Sequence, residues 1–277
     1  MKKSILAIAV AATMAAPAAM AAPTVYGNLH FSINKADSDY KYPDGSSANN
    51  GLKMSSNTST VGVKGSEDLG NGLKAIYKAE FQLDATDNAG GGNALTQRDV
   101  FVGLKGGWGT VKTGIFSSNY KQQGGKVDAL YRTPAEGRGF ISTQSSQLHG
   151  GRGDNRGRMT NALSYTTPTM GGFSLVANVG FNDNEDETTG IGIRWSNKSF
   201  LAYADYIDAV PGAASVSTNT TESAMKLGGK WTGKMFLVSA QYEDAEDLTG
   251  YEHLHTQAGW IINANNVIVA TYGTATH

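Results

Sequence analysis

The chain contains no cysteine among its 277 residues. Both a disulfide framework and a thiolate metal site are therefore excluded. Proline is scarce, with 6 residues, and no segment after residue 21 approaches a transmembrane helix in length and apolarity. Stability must then come from backbone hydrogen bonds and side-chain packing.

The charged residues show no excess of one sign, because 23 basic residues stand against 24 acidic ones. Removing the two N-terminal lysines with the segment described next leaves 21 basic residues and a net charge of −3. A strongly basic surface is the usual electrostatic mark of a nucleic-acid-binding protein. We therefore expect no nucleic acid as a partner.

The N-terminus has the three-part order of a secretory signal peptide. Two lysines precede an uncharged apolar run from Ile5 to Ala16, and small residues follow as far as Ala22. The run is shorter than the ~20 residues of a spanning helix, which weighs against a membrane anchor. We expect residues 1–21 to be a signal peptide cleaved after Ala21, and residues 22–277 to form the mature domain.

Along the mature chain, short stretches alternate apolar and polar residues and are separated by clusters of Gly, Asn, Asp and Ser. This pattern indicates antiparallel strands joined by turns. From Leu73 to Leu83 one face is apolar, while the other carries polar residues such as Lys78 and Glu80. Val25 to Asn34 alternates in the same way. The pattern predicts about thirteen strands.

Alternation does not distinguish a soluble sandwich, whose apolar face lies inside, from a membrane barrel, whose apolar face meets lipid. Aromatic residues recur near the ends of the apolar faces, as at Trp108, Trp195 and Trp260. These positions suit the interfacial girdles of a membrane barrel. Together with the export signal, they favour an all-β fold, an antiparallel transmembrane β-barrel.

The lengths of the connections favour the same architecture. Short turns such as Asn71-Gly72 and Gly171-Gly172 alternate with longer polar connections such as Asp183 to Gly190. Short loops on one side and long loops on the other are typical of an outer-membrane barrel. The segment from Ser117 to Gly157 stands apart because it has no sustained strand pattern. A loop of that length is usually functional or disordered.

Four stretches carry a recognisable pattern: VYGNLHFS, VGVKGSEDLGNGLKAIYKAEFQ, RDVFVGLKGGWGTVKTG and NALSYTTPTMGGFSLVANVGF. In sequence, order and spacing, from Thr24 to Gly273, they resemble the Gram-negative general diffusion porins. The resemblance implies a homotrimer of sixteen-stranded barrels in the outer membrane, surrounded by lipid and lipopolysaccharide. It also implies a water-filled channel for small hydrophilic solutes and ions, narrowed by an inward-folded loop that would span residues 117–157.

The resemblance further implies a constriction between basic residues of the barrel wall and acidic residues of the folded loop. By simple alternation Arg98 shares a face with Val100, so its lumenal position follows from the match and not from the pattern. The alternative is that these residues are ordinary solvated charges in a wide lumen. The expected constriction residues are Lys78, Arg98 and Arg158 on the wall and Asp128 and Glu136 in the loop.

The sequence departs from the family pattern in three places. Thr60 and Ile115 stand where the family often has arginine, which makes the wall less basic than is usual. Family members end on a strand whose last residue is aromatic, whereas this sequence stops at His277. The expectation from this comparison is a truncated C-terminus that lacks about three strands of the sixteen.

An outer-membrane enzyme, such as a phospholipase, is the alternative of a different class. His30 and Ser32 lie two apart in one predicted strand and would share a face, which is the minimum for an activated nucleophile. No orienting Asn or Asp is identifiable from the sequence, so the channel is favoured over the enzyme. Of the five histidines, His253 and His255 would share a face, and two ligands make a weak metal site. We expect neither a cofactor nor a metal.

Overall fold

The structure is a computed structural model, and strands dominate the part of the chain that it describes. The predicted signal peptide, residues 1–21, lies outside the described residues, and so do residues 134–135 and 137–157 of the predicted loop. The described residues are 22–36, 51–83, 86, 95–133, 136, 158–181, 187–209, 222–246 and 251–276.

Fifteen strands and one helix make up the regular structure of the described residues. In chain order they are β1 (Thr24–Asn28), β2 (Phe31–Ala36), β3 (Gly51–Ser56), β4 (Thr60–Gly70), β5 (Leu73–Leu83), β6 (Leu95–Gly106), β7 (Gly109–Ser117), α1 (Asn119–Val127), β8 (Arg158–Thr166), β9 (Phe173–Gly180), β10 (Thr188–Ser196), β11 (Phe200–Ala209), β12 (Glu222–Thr232), β13 (Phe236–Ala245), β14 (Tyr251–Asn263) and β15 (Asn266–Thr276).

Thirteen of these strands form a single antiparallel sheet. The order is β1, β4 and then β5 to β15 in sequence, so that each strand from β4 onward pairs with the next strand along the chain. β2 and β3 pair separately as a hairpin. This consecutive order is that of an up-and-down meander, and the predicted all-β antiparallel fold is confirmed.

The single strand predicted from Val25 to Asn34 is wrong at its centre. β1 pairs with β4, whereas β2 pairs with β3, and Leu29 and His30 lie between the two pairs. The His30 carbonyl accepts a hydrogen bond of 2.8 Å from the Asn57 amide, and the His30 amide donates 3.0 Å to Ser59 Oγ. A side chain thus takes one of the hydrogen bonds that a regular ladder would give to the backbone.

The apolar faces of the strands point outward, and the polar faces point toward the side on which α1 packs, which we call the inner face. Leu175, Ile191 and Val238 are 47%, 56% and 51% exposed. On the inner face, by contrast, Lys226 and Glu243 are 1% and 0% exposed. A soluble sandwich would bury the first group and expose the second. The arrangement is therefore that of a membrane barrel wall, whose outer surface meets hydrocarbon.

Aromatic pairs line the rim of the sheet where the turns are short. They join the ends of neighbouring strands on the outer face, with ring centroids 6.2 to 6.5 Å apart. Amphipathic aromatic rings favour the boundary between hydrocarbon and water. This row therefore marks one interfacial level of the wall. The pairs are Trp108 with Tyr165, Phe173 with Trp195, and Phe200 with Trp231.

Helix α1 lies against the inner face of the sheet and has no counterpart in the sequence pattern. Its sequence NYKQQGGKV contains two glycines and shows no apolar stripe, so its intrinsic helix propensity is low. Ser118 caps its N-terminus by accepting a hydrogen bond of 3.1 Å from the Lys121 amide. Tyr120 and Val127 are fully buried, which indicates that packing against the sheet stabilises the helix. The described residues include no helix long and apolar enough to cross a membrane.

The outward direction of the apolar faces predicts an asymmetric response to charge on neighbouring positions of β9. Leu175→Arg places a cation in hydrocarbon and should lower the free energy of unfolding in a lipid bilayer by about 2 kcal/mol. Ser174→Arg is the matched control, since Ser174 lies on the opposite face of the same strand. Equal losses in urea unfolding of the two variants would contradict the assignment of the faces.

Candidate functional site

A β-bulge in β6 turns two consecutive charged residues toward the inner face. In the pairing of β5 with β6, Ala79 lies opposite Val100 and Phe81 lies opposite Gln97. Two residues of β6, Arg98 and Asp99, therefore lie opposite a single residue of β5. Such an extra residue reverses the alternation beyond it. Arg98 thus faces inward although Val100 faces outward. Simple alternation would place both residues on the same face.

Five charged residues form an ion-pair network on the inner face, which we call the wall cluster. Lys78 Nζ lies 2.9 Å from Glu80 Oε2 and 3.1 Å from Asp99 Oδ2. Arg98 Nε lies 2.9 Å from Glu80 Oε1, and Arg158 Nε lies 3.0 Å from Asp99 Oδ1. Each carboxylate therefore pairs with two cations. Burial of charge is compensated in this way, since an unpaired buried charge is costly.

Hydrogen bonds extend the wall cluster to neighbouring strands. The Tyr26 hydroxyl of β1 donates to Glu80 Oε2 over 2.8 Å, and Arg98 Nη1 donates to Gln82 Oε1 over 3.0 Å. The cluster thus connects β1, β5, β6 and β8. Its side chains are held by several partners each, which fixes their positions on the wall.

The three basic residues predicted from the sequence lie together in the wall cluster. The two predicted loop carboxylates have other contacts: Asp128 Oδ1 accepts 2.7 Å from Gln257 Nε2 of β14, and Glu136 Oε2 accepts 2.7 Å from the Arg132 amide. Glu80 and Asp99, the direct partners of the wall cations, are not among the residues predicted from the sequence. Glu80 was visible on the polar face of its strand, whereas Asp99 is hidden by the bulge.

A cavity of about 410 Å³ lies between the wall cluster and α1. Six basic residues and two acidic residues line it, so its lining carries a positive net charge. The basic lining residues are Lys78, Arg98, Lys112, Lys121, Lys126 and Arg132, and the acidic ones are Glu80 and Asp99.

Lys112 of β7 is a lining residue that lies over two aromatic rings. Its ammonium group lies 4.2 Å from the ring centroid of Phe116 and 5.2 Å from that of Phe101. An aromatic face stabilises a cation without neutralising its charge. Lys112 therefore contributes positive potential to the cavity.

The opposite face of α1 is fastened to the far part of the sheet. The Tyr120 hydroxyl donates to Glu243 Oε1 of β13 over 2.8 Å, and Lys226 Nζ lies 4.2 Å from the Tyr120 ring centroid. Burial and the neighbouring Glu243 raise the pKa of Tyr120 well above its ordinary value, which keeps the hydroxyl a neutral donor. Beyond the helix, the Ala129 amide donates 2.8 Å to Gln257 Oε1.

His30 and Ser32, the candidate pair for an enzyme, do not lie on one strand. His30 falls between β1 and β2, so the expectation of a shared face is wrong. Ser32 Oγ instead lies 3.4 Å from Asn57 Oδ1 and accepts a hydrogen bond of 2.9 Å from Asn34 Nδ2.

His253 and His255 do share the inner face of β14. His255 Nε2 lies 2.9 Å from Thr271 Oγ1, and His253 Nδ1 lies 3.7 Å from Glu243 Oε2. Within the described ranges, no group of three or more His, Cys, Asp or Glu residues has the arrangement of a metal site.

The wall cluster predicts unequal effects of removing a charge and removing a neutral acceptor. Glu80→Gln leaves Lys78 and Arg98 under-compensated and should lower the free energy of unfolding by about 2 kcal/mol. Gln82→Ala removes one hydrogen bond from Arg98 and should cost about 1 kcal/mol. Both losses are measured by urea unfolding in lipid bilayers. A larger loss for Gln82→Ala than for Glu80→Gln would contradict the central position of Glu80.

Comparison with known proteins agrees with this geometry. The chain is 33% identical over 209 residues to the major outer membrane protein P.IB of Neisseria gonorrhoeae, a match that covers 73% of this chain and 56% of that protein. The chain therefore spans little more than half of the length of this relative.

Solved structures share the fold at lower identity. An anion-selective porin from Comamonas acidovorans superposes with a TM-score of 0.72 and 22% identity, over 92% of this chain and 78% of that one. The trimer form of OmpT, an outer membrane protein of Vibrio cholerae, superposes with a TM-score of 0.59 and 14% identity, over 91% and 77%.

A sequence model of the Gram-negative porin family matches residues 7–277, which is nearly the whole chain. The strands of the chain carry apolar side chains on the outer face and paired charges on the inner face, as a wall between lipid and water requires. The chain is thus an outer-membrane protein and belongs to the Gram-negative porin family.

Proposed function

We propose that the protein forms a water-filled channel for the passive diffusion of small hydrophilic solutes and ions through the outer membrane. The observation that carries this proposal is the distribution of polarity across the wall. Side chains such as Asp205, Lys226 and Glu243 cover the inner face, whereas apolar side chains cover the outer one. An interior of this kind is wetted by water and admits polar solutes.

The narrowest part of the channel lies, in this proposal, between the wall cluster and the loop that contains α1. Lys78, Arg98 and Arg158 provide the wall charges, and Asp128 and Glu136 provide carboxylates from the loop. The cavity between α1 and the wall cluster supports the wall part of this assignment, because Lys78 and Arg98 line it together with Lys121 and Lys126 of the helix. Fixed charges at a narrow passage influence each passing ion strongly.

We propose a mild preference for anions. The net charge of the residues that line the cavity is positive, since six of them are basic and two are acidic. At a narrow, partly dehydrated passage this local charge outweighs the net charge of −3 expected for residues 22–277, because salt screens charges that lie farther away than about 8 Å. Lys112 adds to this positive charge, and its ammonium group lies over the rings of Phe116 and Phe101.

The assembly and the surroundings follow from the same proposal. The outer face of the sheet is apolar and would contact lipid and lipopolysaccharide, and three copies would assemble into a homotrimer. The similarity of fold to the trimer form of OmpT supports this assembly. We propose no catalytic role, and the separation of His30 from the strand of Ser32 supports that view.

Reconstitution tests the proposed channel. The purified protein in planar bilayers should give discrete conductance steps, and in liposomes it should admit small sugars while excluding large ones. Phospholipase activity is measured on the same preparation. Folded protein that neither conducts nor admits sugars would overturn the proposal, and lipid hydrolysis would favour the enzyme.

Selectivity should depend on Lys112. Lys112→Gln removes a positive charge from the cavity and should lower the ratio of anion to cation permeability about 1.5-fold, with a larger effect at low salt. The reversal potential in a KCl gradient measures this ratio. Lys198→Gln is the control, since Lys198 lies exposed in the turn between β10 and β11. Equal responses of the two variants would contradict the proposed role of the cavity.

A further inference from the structure

The first residue of α1 is inserted into the wall. Asn119 is fully buried, and its Nδ2 lies 2.9 Å from the Ile191 carbonyl, 3.1 Å from Asp205 Oδ1 and 3.1 Å from the Tyr206 carbonyl. The loop thus bonds directly to the backbone of two wall strands, β10 and β11. Arg194 Nη2 also donates 3.4 Å to the Asn119 carbonyl.

Two glycines of β10 leave the space that this insertion needs. A Cβ atom added to Gly190 would come closer than 3.0 Å to Asn119 Oδ1, and one added to Gly192 would come equally close to Asp205 Oδ1. Neither glycine has a positive φ, so backbone conformation does not require them. Glycine weakens a strand and commonly marks the close approach of another group. Here the approaching groups are the Asn119 amide and the carboxylate that it contacts.

The position of Asn119 fixes one side of the cavity. Lys121 and Gln122, which line the cavity opposite the wall cluster, belong to the same helical turn as Asn119. A displacement of Asn119 away from β10 therefore moves these side chains toward the wall cluster or out of the passage. The distance between helix and wall cluster depends on how deeply Asn119 is seated.

We propose that Asn119 is a positioning residue, held in a socket formed by Gly190, Gly192 and Asp205, and that this socket sets the width of the channel. The inference rests on the proposed function as a diffusion channel. It adds that the solute size limit is encoded on β10 as well as in the loop. A larger residue at position 190 unseats the helix, whereas a smaller residue at position 119 makes room for it.

A double-mutant cycle tests the socket. Gly190→Ala should change single-channel conductance and the sugar size limit about twofold, because the added methyl group displaces the start of α1. In Asn119→Ala/Gly190→Ala the clash is gone, so conductance should return close to that of Asn119→Ala alone. Gly107→Ala is the control, since a Cβ there meets nothing within 4 Å. Circular dichroism verifies that each variant is folded.

A general weakening of β10 by alanine would not be relieved by a second change at position 119. Loss of the Gly190→Ala effect on conductance in the Asn119→Ala background therefore distinguishes the socket from a merely structural role of Gly190. If Gly190→Ala conducts as the wild type does, or if it changes conductance as much in the Asn119→Ala background as it does alone, the inference is overturned. A wild type that does not conduct would instead refute the proposed function.

A cysteine pair tests the seating of the helix without any need for conduction. A Cβ on Gly190 would lie 3.0 Å from Asn119 Cγ. That matches the distance of about 3 Å between Cβ and the far sulfur of a disulfide. Asn119→Cys/Gly190→Cys should therefore crosslink in the folded protein, which otherwise has no cysteine to compete. Mass spectrometry measures the bond, and its absence under oxidising conditions would overturn the socket.

Discussion

The structure depends on one constraint, which is that a backbone crossing hydrocarbon must satisfy all its N–H and C=O groups within the protein. An antiparallel ladder between consecutive strands satisfies these groups along every edge that it joins, with short turns between the strands. Asn71 and Gly72 adopt the positive φ angles of 51° and 75° that a two-residue turn between β4 and β5 requires. Once the backbone is satisfied by the ladder, the side chains are free to differ completely on the two faces.

That difference creates a second problem on the inner face, where charges are crowded away from bulk water. In the wall cluster the cost of burying these charges is compensated by ion pairs, since Glu80 and Asp99 each contact two cations. Helix α1 compensates further charges by supplying hydrogen-bond partners, as Tyr120 does for Glu243. The side chains that pack on the inner face are therefore also the ones that form its ion pairs and hydrogen bonds. The features proposed to control solute passage also stabilise the inner face.

The sequence predicts those features that follow from side-chain alternation and turn residues. The faces of the strands, the short turns and the inward direction of Lys78 are all local properties, and each is present in the structure. The bulge at Arg98 and Asp99 is not local, because it depends on register with β5. Helix α1 is not local either, since glycine-rich NYKQQGGKV becomes helical only against the wall. The break at His30 likewise depends on Asn57 and Ser59, which are distant in sequence.

The bulge in β6 has a consequence for how such a wall changes over evolutionary time. Because Arg98 and Asp99 both point inward only through one extra residue, the identity of the residues and the direction in which they point are encoded separately. A substitution alters one charge and leaves the other in place. Deletion of one residue would restore plain alternation and turn a member of the pair toward lipid. Length variation within a strand is thus a route by which new charge patterns arise inside a barrel without new charged residues.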